Sequence, residues 1–275
     1  MLKQRILTAL VLAPLIIWAL FGLPDKLLLL LFAAVLLGGA WEWSNLAGMK
    51  TPFFRFLFLL VQSGLMLLGW WLIVSSPDVI SIILTSVVLA WFVILFWLAM
   101  YERGKLEIHL SQTVRILLGF LLLSVCFLSI ATIVVTFKYD RESILLLFLL
   151  IWGADVAAYF TGKAFGKNKL APRISPGKSW QGVAGALVMT IIITTAAWSI
   201  MNYPANLLPK LIAFSLLVVV LSVVGDLFES LLKRQVGVKD SSHLLPGHGG
   251  ILDRIDSMIS AGPVYALGMI LLGVA

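Results

Sequence analysis

The segment from Ser230 to Asp256, SLLKRQVGVKDSSHLLPGHGGILDRID, concentrates basic residues, carboxylates, two His and a Gly-Gly step between two long apolar runs. If the run before it is helical, Asp226, Glu229, Ser230 and Lys233 stand at i, i+3, i+4 and i+7 and share one face. Asp253 and Asp256, three apart at the start of the following run, share a face in the same way. These are hard oxygen donors on adjoining helices, without thiols or paired imidazoles. Beside phosphate-binding cations they suit Mg²⁺, which takes one or two carboxylates and leaves its other positions to phosphate and water.

Between the two helices, His248 is followed by Gly249 and Gly250. Glycine lets a backbone approach an anion closely and turn its amides toward it. With Lys233, Arg234, Lys239 and Arg254 in the same loop, the pair reads as a polyphosphate cradle. A second loop, GKAFGKNKLAPRISPGKSWQG, adds Lys163, Lys167, Lys169, Arg173 and Lys178. Its Gly177-Lys178-Ser179 imitates the end of a P-loop, but the first glycine of that motif would fall on Pro172, and no strand is expected before it. Part of this loop's charge serves membrane orientation, and the rest is assigned to substrate phosphate and anionic headgroups. His243 and His248 could suggest zinc, but the only other His is His109 in a different loop, so a zinc site is not expected. A serine triad on Ser230 or Ser242 fails too, since nothing resembles a nucleophile elbow.

These groups need a frame. At 61% hydrophobic and 12% charged residues, with a mean hydropathy of +1.07, the 275-residue chain is too apolar for a water-soluble domain. Apolar runs of about 20 residues, enough to cross about 30 Å of hydrocarbon as helix, recur from end to end. The short alternating segments of a membrane β-barrel are absent. The expected fold is therefore all-α and polytopic, with nine spans at 6–23, 27–47, 56–76, 79–100, 116–137, 143–163, 181–201, 210–232 and 255–274. With the N-terminus inside, 16 of the 20 Lys and Arg fall on the cytoplasmic side, and only Lys26, Lys138, Arg141 and Lys210 fall outside. That distribution predicts an N-in, C-out chain; the expected location is the cell inner membrane. The net charge of +7 is thus a topology signal, and nucleic acid is not expected as a partner.

Residues 1–142 carry five spans with few polar groups and read as a membrane scaffold. Glu42, between Trp41 and Trp43, is expected to be an interfacial anchor, with a cavity-lining role as the alternative. Met1 to Leu23 reads as a retained first span, since its run is too long for a signal peptide and lacks a clear cleavage site. Cys126 is the single cysteine, so no disulfide framework forms. Residues 143–275 form the chemical half, with cytoplasmic loops at 163–180 and 233–254. Asp155 lies eight residues before Lys163, and Asp226 seven before Lys233, which at about 1.5 Å per residue sinks both acids to similar depth. A lone carboxylate in hydrocarbon costs several kcal/mol, so both should face a watered, cation-containing cavity open to the cytoplasm.

The pattern Ser230-x-x-Lys233-Arg234, Lys239-Asp240, His248-Gly249-Gly250-x-x-Asp253-Arg254-x-Asp256 resembles the full signature of the phosphatidate cytidylyltransferases, also called CDP-diglyceride synthases. The similarity extends to the Asp155 helix, the SPGKSWQG loop and the nine-span plan. It implies transfer of CMP from CTP to phosphatidic acid, making CDP-diacylglycerol and pyrophosphate for phospholipid synthesis. It also implies Asp226 and Asp253 as ligands of Mg²⁺, with K⁺ as a second cation and Asp256 and Asp155 as further ligands or anchors. Lys178, Lys233, Arg234 and Arg254 would clamp phosphates. Ser179, Ser230, Lys239, His248, Gly249 and Gly250 complete the substrate-binding set. CTP, phosphatidic acid and membrane lipids are the implied partners; oligomeric state stays open, a homodimer included. Two rivals keep the same residues: a CTP-dependent kinase of a lipid alcohol, and a transporter of an anionic solute.

Overall fold

The structure, a computed structural model, describes residues 2–242, 244 and 249–274. Within them lie nine long helices: α1 (Leu2–Gly22), α2 (Asp25–Leu46), α3 (Pro52–Ser75), α4 (Pro77–Glu102), α5 (Gln112–Thr136), α6 (Asp140–Phe165), α7 (Trp180–Ile200), α8 (Leu208–Gln235) and α9 (Leu252–Leu272). Each expected span has its helix, and every end lies within four residues of the sequence reading. Over their described lengths, α2 to α9 are long and apolar enough to cross a bilayer, and α1 contributes a shorter apolar stretch, Val11–Gly22.

Local chemistry sets the starts. Pro52 and Pro77 open α3 and α4, where a missing N–H breaks no helical hydrogen bond. Ser111 and Ser179 cap α5 and α7, accepting from Val114 N at 3.3 Å and Gly182 N at 3.2 Å.

Two helices form the centre. In α5 and α9, 72% of the most apolar stretch is buried, against 22% in α3 and α4 and 17% in α7. Phe53, Phe56, Leu60, Leu67 and Trp71 of α3 and Ile82, Leu89 and Phe96 of α4 point outward, a belt too extensive for water and suited to lipid. Helices that share an apolar solvent associate through close approach and interhelical hydrogen bonds. Accordingly, α8 meets α9 at Gly225, opposite Ser260, whose hydroxyl donates to Leu221 O at 2.8 Å. This junction lies one residue from Asp226.

The loop between α6 and α7 is not irregular. It folds as an antiparallel hairpin of β1 (Lys169–Ala171) and β2 (Ser175–Ser179), with Lys169 opposite Ser179 and Ala171 opposite Ser175. Gly177-Lys178-Ser179 therefore lies on a strand and not in a phosphate-binding turn. Glu102, at the end of α4, seats the hairpin by accepting from Arg173 N at 3.1 Å and Ile174 N at 2.8 Å. Arg173 pairs with Glu107 at 2.7 Å, donates to the carbonyl of Tyr101 and lies over the Tyr101 ring, so this cation is committed to the scaffold.

Candidate active site

Two lysine–carboxylate pairs organise the site. Lys178 reaches from β2 to α8, with Nζ 2.7 Å from Asp226 Oδ2; the two side chains are 25% and 29% exposed. Ser230, one turn on, donates to Asp226 Oδ1 at 3.3 Å. Lys233 is nearly out of solvent and lies between Glu229 Oε2 at 2.7 Å and Asp253 Oδ1 at 2.6 Å, tying α8 to the start of α9.

A buried ion pair is tolerable only when its remaining lone pairs are satisfied. Asp253 meets that condition with its own loop. Its Oδ2 accepts from Gly250 N at 2.7 Å and Ser241 N at 3.1 Å, and Ser241 Oγ lies at 3.0 Å. Gly249 has φ +82°, and a Cβ there would stand 2.6 Å from Asp253 Oδ2, so both backbone conformation and space call for glycine. The Gly-Gly step thus wraps the Asp253 carboxylate.

On the other side of Lys233 the acids crowd. Asp155 on α6 is close enough to Asp226, Lys178 and Arg254 to interact with each through its charge. Asp256 interacts in the same way with Asp226, Glu229 and Lys178, and accepts from Ser257 N at 2.7 Å. Glu229 is buried, and its Oε1 has no hydrogen-bond partner. Hard oxygens in like-charged proximity, one of them orphaned, are what a bound cation would relieve, so the donor chemistry fits a divalent ion. As the side chains stand, no three acids, His or Cys converge as a metal-binding group among the described residues. Asp226 and Asp253 each have a lysine as partner.

The remaining sequence-derived residues are placed differently. Ser179 is buried, with its hydroxyl committed to the start of α7. Arg234, Lys239 and Arg254 are exposed and form no ion pair among the described residues. His248 lies outside the described residues.

Sequence reasoning put Glu229 on the Asp226 face among the oxygen donors but assigned it no role in the site. It also missed Ser241, whose type carries no signal. Glu42 is the larger correction, because it is 1% exposed and not an interfacial anchor. From α2 it accepts hydrogen bonds from Ser241, Ser242, Ile251 and Leu252. Only its presence as a lone acid in an apolar run hinted at this.

The sequence model of the cytidylyltransferase family matches residues 3–272. Among curated proteins, the chain is 41% identical over 266 residues to the phosphatidate cytidylyltransferase of Pseudomonas aeruginosa, covering 97% of this chain and 96% of that protein. It is 35% identical over 286 residues to the Haemophilus influenzae protein of the same name, covering 97% and 98%. A third such protein, from Brucella suis, is 33% identical over 274 residues, covering 98% and 94%.

Proposed function

The chain belongs to the cytidylyltransferase family, and on that premise we propose that it transfers CMP from CTP to phosphatidic acid, yielding CDP-diacylglycerol and pyrophosphate. The observation that carries this reading is the nearly end-to-end similarity to proteins named for that activity.

In the proposed reaction a phosphatidate oxygen attacks the α-phosphorus of CTP in line. The new O–P bond forms as the bond to the bridging oxygen of the β-phosphate breaks, and pyrophosphate leaves with that electron pair. A phosphomonoester has its second pKa near about 6, so the nucleophile is anionic at neutral pH and needs no strong base. The barrier lies in bringing two polyanions together and neutralising the leaving group, which is work for preorganised cations.

Lys178 and Lys233 suit that work because each is already held near an acid at under 3 Å. Exposed Arg234, Lys239 and Arg254 would clamp phosphates from the water side, the arginines in bidentate fashion. His248 and the Gly249-Gly250 backbone complete the phosphate contacts in this reading. Asp226 and Asp253, with Asp256 and Asp155 beside them, would hold Mg²⁺, with K⁺ as a second cation. When bound, the metal would supply charge stabilisation on the phosphate oxygens.

The excess of Lys and Arg on one side supports a site that faces the cytoplasm, and the membrane in this reading is the cell inner membrane. Phosphatidic acid would keep its acyl chains in the bilayer while CTP arrives from water. Pyrophosphate release by the purified protein, with CTP, Mg²⁺ and phosphatidic acid omitted in turn, tests the reading, and all three should be required. Release of CDP with a lipid alcohol as acceptor would replace it with a kinase. The mass of the active species in detergent decides whether the working unit is the homodimer.

A further inference from the structure

Glu42 lies on α2, 199 to 210 residues in sequence from the four groups that it binds. Each of its oxygens is filled by one hydroxyl and one backbone amide. Oε1 accepts from Ser242 Oγ at 2.5 Å and Ile251 N at 3.0 Å; Oε2 accepts from Ser241 Oγ at 2.9 Å and Leu252 N at 2.7 Å. The two amides belong to the start of α9, where N–H groups lack helical partners and the helix dipole favours negative charge. The carboxylate thus caps a helix in another part of the chain.

We infer that Glu42 is a positioning residue, which sets Asp253 and the Gly249-Gly250 strap for the reaction by pinning both ends of the segment Ser241 to Leu252. The link runs through Ser241. Its Oγ lies 2.9 Å from Glu42 Oε2 and 3.0 Å from Asp253 Oδ2, and its amide donates to Asp253. One hydroxyl proton serves one carboxylate at a time, so the orientations of Glu42 and Asp253 are coupled. Gly250 is pressed against the same pair, since a Cβ there would overlap both Ser241 Oγ and the Glu42 carboxylate. Helix α2 therefore grips the strap that orders Asp253. The effect on turnover rests on the proposed cytidylyl transfer; the grip itself does not.

Only a group accepting at both oxygens fits. In Glu42→Gln, whichever way the amide is turned, its NH₂ faces the backbone N–H of Ile251 or Leu252, donor against donor. Orientation lost behind a ligand of this kind typically costs about 10- to 100-fold in metal affinity or activity.

The test compares wild type, Glu42→Gln and a control, Gln62→Met, which removes a buried hydrogen bond to Ser124 between α3 and α5, away from the strap. Turnover, KM for CTP, half-saturating Mg²⁺, thermal midpoint and hydrogen exchange are read on the same detergent preparations. Glu42→Gln should lower kcat by about 10- to 100-fold, raise half-saturating Mg²⁺, and speed exchange selectively at residues 241, 242 and 249–256. Gln62→Met, whatever it does to the midpoint, should leave half-saturating Mg²⁺ and exchange at those residues unmoved. Should Glu42→Gln not fold, Glu42→Asp, which keeps both acceptors at shorter reach, is read in the same way with smaller shifts. Wild-type kinetics and exchange in the Glu42 variant, or activity falling only with folded fraction at unchanged half-saturating Mg²⁺, would overturn the inference. If wild type itself releases no pyrophosphate, the functional reading fails, and hydrogen exchange, which needs no turnover, still decides whether Glu42 grips the strap.

Discussion

Lys178, on a strand of the hairpin between α6 and α7, places its Nζ 2.7 Å from Asp226 Oδ2 in α8. This pair joins the two basic loops into one site. With its side chains 25% and 29% exposed, it contributes at most about 1 kcal/mol to stability. Its value lies in holding a cation beside the acids.

Lys178→Met should therefore separate chemistry from folding. The thermal midpoint should stay close to wild type, while turnover falls by about 10²- to 10³-fold, the usual loss on deleting a preorganised charge-stabilising group. Pyrophosphate release at saturating CTP and phosphatidic acid reads the first effect and a thermal melt in detergent the second. Turnover within a few-fold of wild type would remove Lys178 from the phosphate-binding set.

Asp226→Asn and Asp253→Asn should both nearly abolish turnover, yet differ in stability. Asp226 is partly open and loses a half-buried, water-reachable pair that contributes little, so its variant should melt nearer to wild type than the Asp253 variant. Asp253 accepts from Lys233, Ser241 and Gly250 in a largely buried setting. An amide there turns a donor toward donors and leaves part of the Lys233 charge unmatched, a cost of about 1–3 kcal/mol. Thermal melts compared with pyrophosphate release distinguish the two; equal midpoints would contradict the burial argument.

Glu102 does for the hairpin what Glu42 does for the start of α9. Both are acids from helices rich in lipid-facing residues, and both accept two consecutive backbone amides of a site segment, Arg173 and Ile174 for Glu102. Glu102→Ala should release the hairpin turn and let Lys178 leave Asp226. Turnover should drop by about 10- to 100-fold, as for a misplaced catalytic group. Trypsin should cut faster within residues 167–178. Unchanged cleavage together with unchanged turnover would show that the hairpin is held by other contacts.

How much of this could be read from the sequence follows the range of each interaction. All nine helices were legible, because span length depends on local hydropathy and bilayer thickness alone. The shared face of Asp226, Glu229, Ser230 and Lys233 was legible because it is a property of one helix. The Lys178–Asp226 and Lys233–Asp253 pairs were not, since partner choice among several cations and acids depends on how α8, α9 and the hairpin pack. The hairpin was masked by its Pro and Gly content, which reads as irregular loop. Glu42 was the hardest, because a single acid beside two Trp residues in α2 carries no mark of its partners beyond residue 240.

The α8–α9 junction offers a final test, one that leaves every acid and cation of the site in place. A Cβ on Gly225 would stand 2.8 Å from the backbone oxygen of Asp256 and 3.0 Å from Ser260 Cβ, and would overlap the Ser260 hydroxyl. The hydroxyl could rotate, but the backbone oxygen cannot, so Gly225→Ala must push the helices apart beside Asp226 and Asp256. Overpacking of this kind costs about 1–3 kcal/mol, and turnover should fall further than the loss of folded protein explains. Adding Ser260→Ala should restore part of the stability but not the turnover, since the clash with Asp256 remains. Gly64→Ala on α3, where a Cβ meets nothing within 4 Å, should leave turnover unchanged and, by helix propensity, hold or raise stability by up to about 1 kcal/mol. If Gly225→Ala matched Gly64→Ala in melting and in pyrophosphate release, close approach of α8 and α9 could not be what aligns the acids.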